Sequence, residues 1–287
     1  MPHDPGGMSD QHRGMTNISS SASVRTHRIL VLGYGVASYL VFLAAFSYAV
    51  VFVGGIVVPR TVDHGIDGAP LGVALAINTL LLGLFAVQHS VMARPAFKRW
   101  WTRFVPPAIE RSTYVLLASL VLLLLYWQWR TMPVPVWQVD HPVLRTLLWS
   151  LFAAGWATVL AATFMIDHFE LFGLRQVFTA WRGIPRRETG FQATLLYRLV
   201  RHPLMLGFLV AFWATPAMTA GHLLFAIATT GYILVAIQLE ERDLTAELGD
   251  DYRVYRSSVP MLVPGVRPRS RPAGHTTSGC PVRQRSL

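Results

Sequence analysis

Four apolar runs dominate this chain: Ile29–Val58, Leu71–Ala93, Thr113–Trp129 and Thr146–Ile166. Each is long enough to cross a bilayer, which takes roughly 20 helical residues. Lipid offers no partner to a bare peptide group, so such runs fold as helices that satisfy their own backbone. A fifth run, Leu204–Leu239, is too long for one crossing, and Pro216 with Gly221 breaks it at Thr215–His222. Proline cannot continue a helix, so this run reads as a helical hairpin with short arms, the first marginal in length. Only 14% of the 287 residues are charged, against about 25% in an ordinary soluble domain. The expected fold class is therefore an all-α integral membrane protein, with four transmembrane helices plus a C-terminal transmembrane helical hairpin. No internal repeat and no separate soluble domain is visible.

The loops set the orientation. Between Arg94 and Arg111 five basic residues face Glu110, and between Arg175 and Arg201 six face Glu188. The alternate loops are nearly neutral, with Arg60 against Asp63 and Asp67, then Arg130 and Arg145 against Asp140. Lys/Arg-rich loops stay cytoplasmic, so both termini are expected inside and the hairpin tip outside. The net charge of +10 then speaks for anionic lipid as a partner, and against nucleic acid. Residues 1–28 read as a disordered cytoplasmic extension and not as a signal peptide, because they lack a short apolar core with a small-residue cleavage site. Residues 29–264 form the membrane domain, and 265–287 a disordered Pro/Arg/Ser-rich tail. The one cysteine, Cys280, lies in that tail, which excludes an internal disulfide and a cysteine-based metal site.

With this topology four elements deliver polar groups to one membrane face. Gln88-His89-Ser90 ends the second span, and Asp167-His168-Phe169-Glu170 follows the fourth. His202 opens the hairpin and Glu240-Glu241 closes it. Ionisable groups at membrane depth are costly and mark functional sites. Taken alone, Arg201-His202-Pro203 also reads as an ordinary helix start, the Glu pair as a solvated helix end, and His89 as a satisfied buried histidine. Gly33-Tyr34-Gly35 lies inside an apolar run with no strand before it, so it is no dinucleotide loop. His141 and His222 fall on the opposite face and read as structural. Asn17-Ile18-Ser19 fits a glycosylation pattern but lies in the cytoplasmic extension, where it has no meaning.

Joined by the hairpin and followed by Gly249, Tyr252, Tyr255 and Val259-Pro260, the Arg-His-Pro and Glu-Glu elements resemble a C-terminal signature. It is that of the isoprenylcysteine carboxyl methyltransferases and phospholipid methyltransferases, over about Tyr197–Pro264. In that family these elements enclose S-adenosylmethionine. The resemblance implies cofactor contacts at Tyr197, Arg201, His202, Pro203, Gly207, Glu240, Glu241, Tyr252 and Tyr255. Phe164–Gln176, Gln88–Arg94, Leu196-Tyr197-Arg198 and Phe212–Thr219 are similar to the methanethiol S-methyltransferases, bacterial membrane enzymes that make dimethyl sulfide. That implies a bacterial inner-membrane location and methanethiol or a similar small thiol as substrate.

The chemistry gives a reason for the histidines. The attacking species is a thiolate, and small thiols are mostly protonated near neutral pH. His89, or the Asp167-His168 pair, is the candidate to take the proton, with Asp167 orienting His168 or His89. No metal is needed, and the clustered histidine motifs of membrane iron hydroxylases are missing. Methylation of a lipid or prenyl-cysteine group is the alternative within the class. A non-catalytic transporter or assembly protein is the alternative outside it.

Overall fold

The computed structural model describes residues 9–56, 58–185 and 195–265, with side chains from Arg25 onward. Five helices are long and apolar enough to span a membrane: α1 (Ser9–Gly54), α2 (Leu71–Ala93), α4 (Pro107–Gln128), α5 (Pro142–Ile166) and α10 (Ala220–Leu248). Short α3 (Pro95–Trp101) follows α2, and α6 (His168–Leu171) and α7 (Leu174–Arg182) follow α5. One turn, α8 (Leu196–Leu199), leads to α9 (Pro203–Trp213), and α11 (Asp250–Ser258) follows α10. Proline stands in the first turn of α3, α4, α5 and α9, where its missing N–H costs nothing and its fixed φ suits a helix. Large apolar side chains such as Leu40, Leu80 and Val235 point outward, as a lipid-facing surface requires.

Helix α1 begins at Ser9, well before the apolar run at Ile29. The expected disordered extension thus overlaps helical backbone from Ser9 to Arg28, a stretch without proline and with Gly14 its one glycine. Residues 1–8 and 266–287, most of the expected tails, lie outside the described residues.

The hairpin is real but unequal. Its break falls at residues 214–219, as Pro216 and Gly221 indicate, and β2 (Ala217–Thr219) pairs there antiparallel with β1 (Pro135–Gln138). Helix α9 has 11 residues, about 16 Å of helix at 1.5 Å per residue, about half of the hydrocarbon thickness. Helix α10 has 29 residues and runs past Glu240-Glu241 to Leu248. The Glu pair therefore sits inside a helix and does not end it. The sequence from Glu240 to Leu248 is polar but rich in helix formers, so the helix outlasts its apolar face.

The short arm is held by close contact with α5. A Cβ on Gly155 would stand 2.7 Å from the Ala211 nitrogen, and one on Gly207 would stand 2.7 Å from the Gly155 carbonyl oxygen. Small residues let the two backbones meet, the usual device of helix pairs in lipid. The contact fixes the foot of α9, and with it His202, beside the end of α5.

Candidate active site

Charge gathers where α9 begins. Val200–His202 runs extended beside the chain after α11: the Arg201 amide donates to the Pro260 carbonyl at 2.9 Å, and that of His202 to Met261 at 3.2 Å. Pro203 opens α9 at the next position. This pairing aims Arg201 and His202 at α10, where Glu241 waits with 2% of its side chain exposed. Glu241 Oε1 shares a hydrogen bond with His202 Nε2 at 3.1 Å and lies 2.9 Å from Arg201 Nε in an ion pair, while Oε2 lies 3.1 Å from Arg256 Nε in another. Arg201 also donates from Nη1 to the Arg256 carbonyl at 2.6 Å. Glu240, half-exposed, places Oε2 3.7 Å from His202 Nδ1.

The turn that makes this possible is Gly249. Its φ of +60° and ψ of −126° lie where only glycine is at ease, and they fold α11 back against α10. Tyr252 is thereby buried, and the Tyr255 hydroxyl donates to the Tyr197 carbonyl at 2.6 Å. Burial pushes the Tyr252 and Tyr255 phenols up to about 12, with Glu241 adding to the effect and Arg201 opposing it. Burial raises Tyr197 as well. All three are neutral phenols at physiological pH. Outside the knot, α10 and α11 wall an open cleft of about 440 Å³, lined by Gln238, Glu241, Arg242, Thr245, Ala246, Arg253 and Arg256.

Of the expected cofactor residues, the structure brings together Tyr197, Arg201, His202, Glu240, Glu241, Tyr252 and Tyr255. Pro203 belongs to the group as the start of α9. Gly207 does not: its missing side chain is needed against Gly155 and Val159 of α5, which makes it a helix-packing residue.

The proton-handling candidates separate. His89 lies between α2, α4 and α10, with the Tyr114 hydroxyl 3.0 Å from its Nε2 and 3.1 Å from its Nδ1. Its ring stacks on Phe85 at 5.2 Å and meets Tyr232 edge-on at 6.4 Å. Tyr232 hydrogen-bonds with Ser90, and an Arg94–Asp243 pair at 2.8 Å ties the end of α2 to α10. Arg94 in turn lies close enough to act on Glu240. His89 is thus joined through α10 to the Glu pair.

His168 is buried elsewhere, between α1 and the end of α5. The Thr163 hydroxyl donates to the Leu160 carbonyl at 2.7 Å, so at 2.9 Å from Nδ1 it accepts the proton of that nitrogen. Nε2 then accepts from the Tyr39 hydroxyl at 2.8 Å. Both nitrogens are engaged, and burial lowers the pKa of the ring, with Asp167 opposing. Asp167 does not orient either histidine. At φ +145° it caps α6, accepting from the Glu170 amide at 3.1 Å, and it pairs with Arg175 at 2.6 Å. Asp-x-x-Glu is a capping-box spacing, a signal that the sequence carried and that outweighs the dyad reading. Among the described residues no three His, Cys, Asp or Glu side chains are placed to hold a metal ion.

Sequence reasoning missed Arg242, Arg253, Arg256 and Thr245 on the cleft, and Tyr114 and Tyr232 around His89. The tyrosines sit on apolar spans and carried no motif. The arginines lie in a generally basic chain, and their place is set by the Gly249 turn.

The pattern of the family described as NnrU protein matches residues 78–239, more than half of the chain. A protein of Mycobacterium tuberculosis named methanethiol S-methyltransferase is 72% identical over 237 residues, covering 83% of this chain and 97% of its own. Methanethiol S-methyltransferase 2 of Bradyrhizobium diazoefficiens is 59% identical over 244 residues, 85% of this chain and 93% of its own. A protein named methanethiol S-methyltransferase from Crocosphaera subtropica is 49% identical over 243 residues, 85% and 95% of the two chains. No solved structure matches the chain. With sequence identity this high over the whole membrane domain and a spanning α-helical fold, the chain belongs to the NnrU family of membrane proteins, in the branch of the methanethiol S-methyltransferases.

Proposed function

We propose that this protein transfers a methyl group from S-adenosylmethionine to methanethiol, giving dimethyl sulfide. The observation that carries the reading is the knot of buried Arg201, His202 and Glu241 with half-exposed Arg256, walling a cleft at the membrane edge. Its donor set fits the methyl donor. Guanidinium groups suit a carboxylate, the half-exposed Glu240 suits an ammonium or ribose hydroxyl, and the neutral phenols of Tyr197, Tyr252 and Tyr255 close the foot of α9. Gly207 is left out of that set.

Bound S-adenosylmethionine supplies an electrophilic sulfonium methyl. The protein's part is to hold the thiol in line, exclude water and take a proton. An anionic sulfur meets a cationic sulfonium, so charge disappears as transfer proceeds, and a site with low-dielectric walls favours that step. Alignment of the two sulfurs supplies the remainder. His89 is the base this arrangement favours, the unprotonated nitrogen of its ring taking the thiol proton within a box of Phe85, Tyr114 and Tyr232. His168 already uses both nitrogens, and Asp167 both oxygens. The basic loops at residues 94–111 and 175–201 support a cytoplasmic orientation of this end of the bundle in a bacterial inner membrane, on the side where the charged donor is found. Methanethiol, small and apolar, arrives through lipid.

The test is an assay of the purified protein with S-adenosylmethionine and methanethiol, reading dimethyl sulfide by gas chromatography. Protein-dependent product is expected. Its absence, in a sample that binds the donor, would sink the substrate assignment.

A further inference from the structure

Glu241 is enclosed by the groups that it pairs with. Oε1 serves Arg201 and His202, Oε2 serves Arg256, and the carboxylate is turned away from solvent. It organises the cations around it. The cations are unevenly satisfied. Arg201 is buried, in an ion pair with Glu241 and with Nη1 donating to a carbonyl, and Arg253 is paired with Asp250 at 2.8 Å. Arg256 is different: 49% of its side chain is exposed, and Nε is its one engaged donor among the described residues. A guanidinium carries five N–H donors in a planar fork, so its terminal nitrogens remain for the cleft that it lines. Arg242 lines the same cleft, is exposed, and makes no hydrogen bond or ion pair among the described residues.

The charge count follows. Arg201 and Arg256 share the single carboxylate of Glu241, and Asp250 balances Arg253, so with Arg242 the groups around the cleft carry more positive charge than these two carboxylates offset. Two open guanidinium groups on one cleft suit an anion, and best a planar carboxylate taken in bidentate fashion. We infer that Arg256 and Arg242 form the subsite for the amino-acid carboxylate of the methyl donor, with Glu241 as the positioning residue that holds Arg256 in place. The inference rests on the donor assignment above and adds which end of the donor this cleft takes.

The two are separable by ligands that differ at that end. S-adenosylhomocysteine carries the amino-acid carboxylate, whereas 5′-methylthioadenosine keeps the adenosine and a thioether but has no carboxylate. Calorimetry on the full chain in detergent would measure both on wild type, Arg256→Gln and Arg242→Gln. The expected result is a fall of about tenfold or more in affinity for S-adenosylhomocysteine with Arg256→Gln, in line with loss of a charge-assisted pair. Arg242→Gln should give a smaller fall, and 5′-methylthioadenosine affinity should change less than twofold in either. Equal losses for both ligands, or none for S-adenosylhomocysteine, would overturn the subsite. If wild type binds neither ligand, the donor assignment itself fails. Arg256 helps to hold Glu241, so a loss of the fold in its variant is checked by melting temperature; Arg242 has no partner among the described residues, and its variant then decides the question alone.

Discussion

The two ends of the bundle are both polar, but in opposite ways. At the β1–β2 end most of the buried polar groups answer the backbone. Asn78 receives the Arg130 amide at 2.9 Å and donates to its carbonyl at 2.8 Å, and the Trp129 indole donates to the Val62 carbonyl at 3.0 Å. Thr219 caps α10 and donates to Asp63 at 2.6 Å, while His222 meets the Phe212 carbonyl at 3.0 Å. At the opposite end, side chains answer one another: Glu241 collects Arg201, His202 and Arg256, and Arg256 and Arg242 keep donors in reserve. Polar groups spent on backbone close a helix end, whereas charges spent on each other with donors left over describe a site. That difference is testable, because it predicts where a substitution costs stability alone and where it also costs chemistry.

The largest effect is expected at Glu241. Removing one partner of a buried ion pair typically costs about 3–5 kcal/mol, and here Arg201 and His202 are stranded with 7% and 5% of their side chains exposed. Glu241→Ala should lower the melting temperature sharply and abolish detectable donor binding. A variant that melts like wild type would show that the knot is not a unit.

Next comes His89. A general base contributes about 10²–10⁴-fold, so His89→Ala should slow single-turnover methyl transfer by at least about a hundredfold while S-adenosylhomocysteine affinity stays nearly unchanged. Raising pH should recover part of the rate, because more thiol then arrives ionised. His168→Ala should not show that pattern. If His168→Ala loses rate and regains it at high pH while His89→Ala does not, the base lies at the end of α5.

At the other end, Asn78→Ala leaves two backbone groups of Arg130 without partners, at about 1–3 kcal/mol for such a loss. The variant should melt earlier yet turn over at the wild-type rate per folded molecule. A fall in that rate with stability unchanged would erase the contrast between the two ends.

How much of this was legible in the sequence follows from what each feature depends on. The spans and the Pro216–Gly221 break are local patterns, and they lie where hydropathy and proline put them. Arg201, His202 and Glu241 stand out because charge beside an apolar run is rare. Gly207 was read through the motif around it, but the neighbour that requires its missing side chain, Gly155, is over fifty positions away. The same distance hid Tyr114 behind His89, since a phenol on an apolar helix looks like packing until a second helix is placed against it. The cleft arginines depend on a single backbone turn at Gly249 that carries α11 over α10. Asp167 is the instructive case: the capping spacing to Glu170 was present, and the nearness of His168 in sequence drew the reading the wrong way.

The smallest expected effect concerns pH and His168. Burial lowers its pKa below the ordinary 6.5, with Asp167 opposing. Below 6.5 the unfolded chain binds a proton that the folded chain resists, so stability is full above that pH and is lost as pH falls toward the folded value. The bound on the slope is about 1.4 kcal/mol per pH unit for one proton. The Tyr39 hydroxyl reduces the cost, because it can turn from donor to acceptor when Nε2 gains a proton, so the penalty comes from burying charge and not from a broken bond. Melting temperatures recorded in detergent between about pH 7.5 and pH 5 should therefore decline for wild type, and decline less for His168→Asn, which presents an amide that does not titrate. Parallel curves for the two proteins would mean that the acid sensitivity arises elsewhere, with the Glu241 knot the first place to look, since its buried carboxylate holds Arg201, His202 and Arg256.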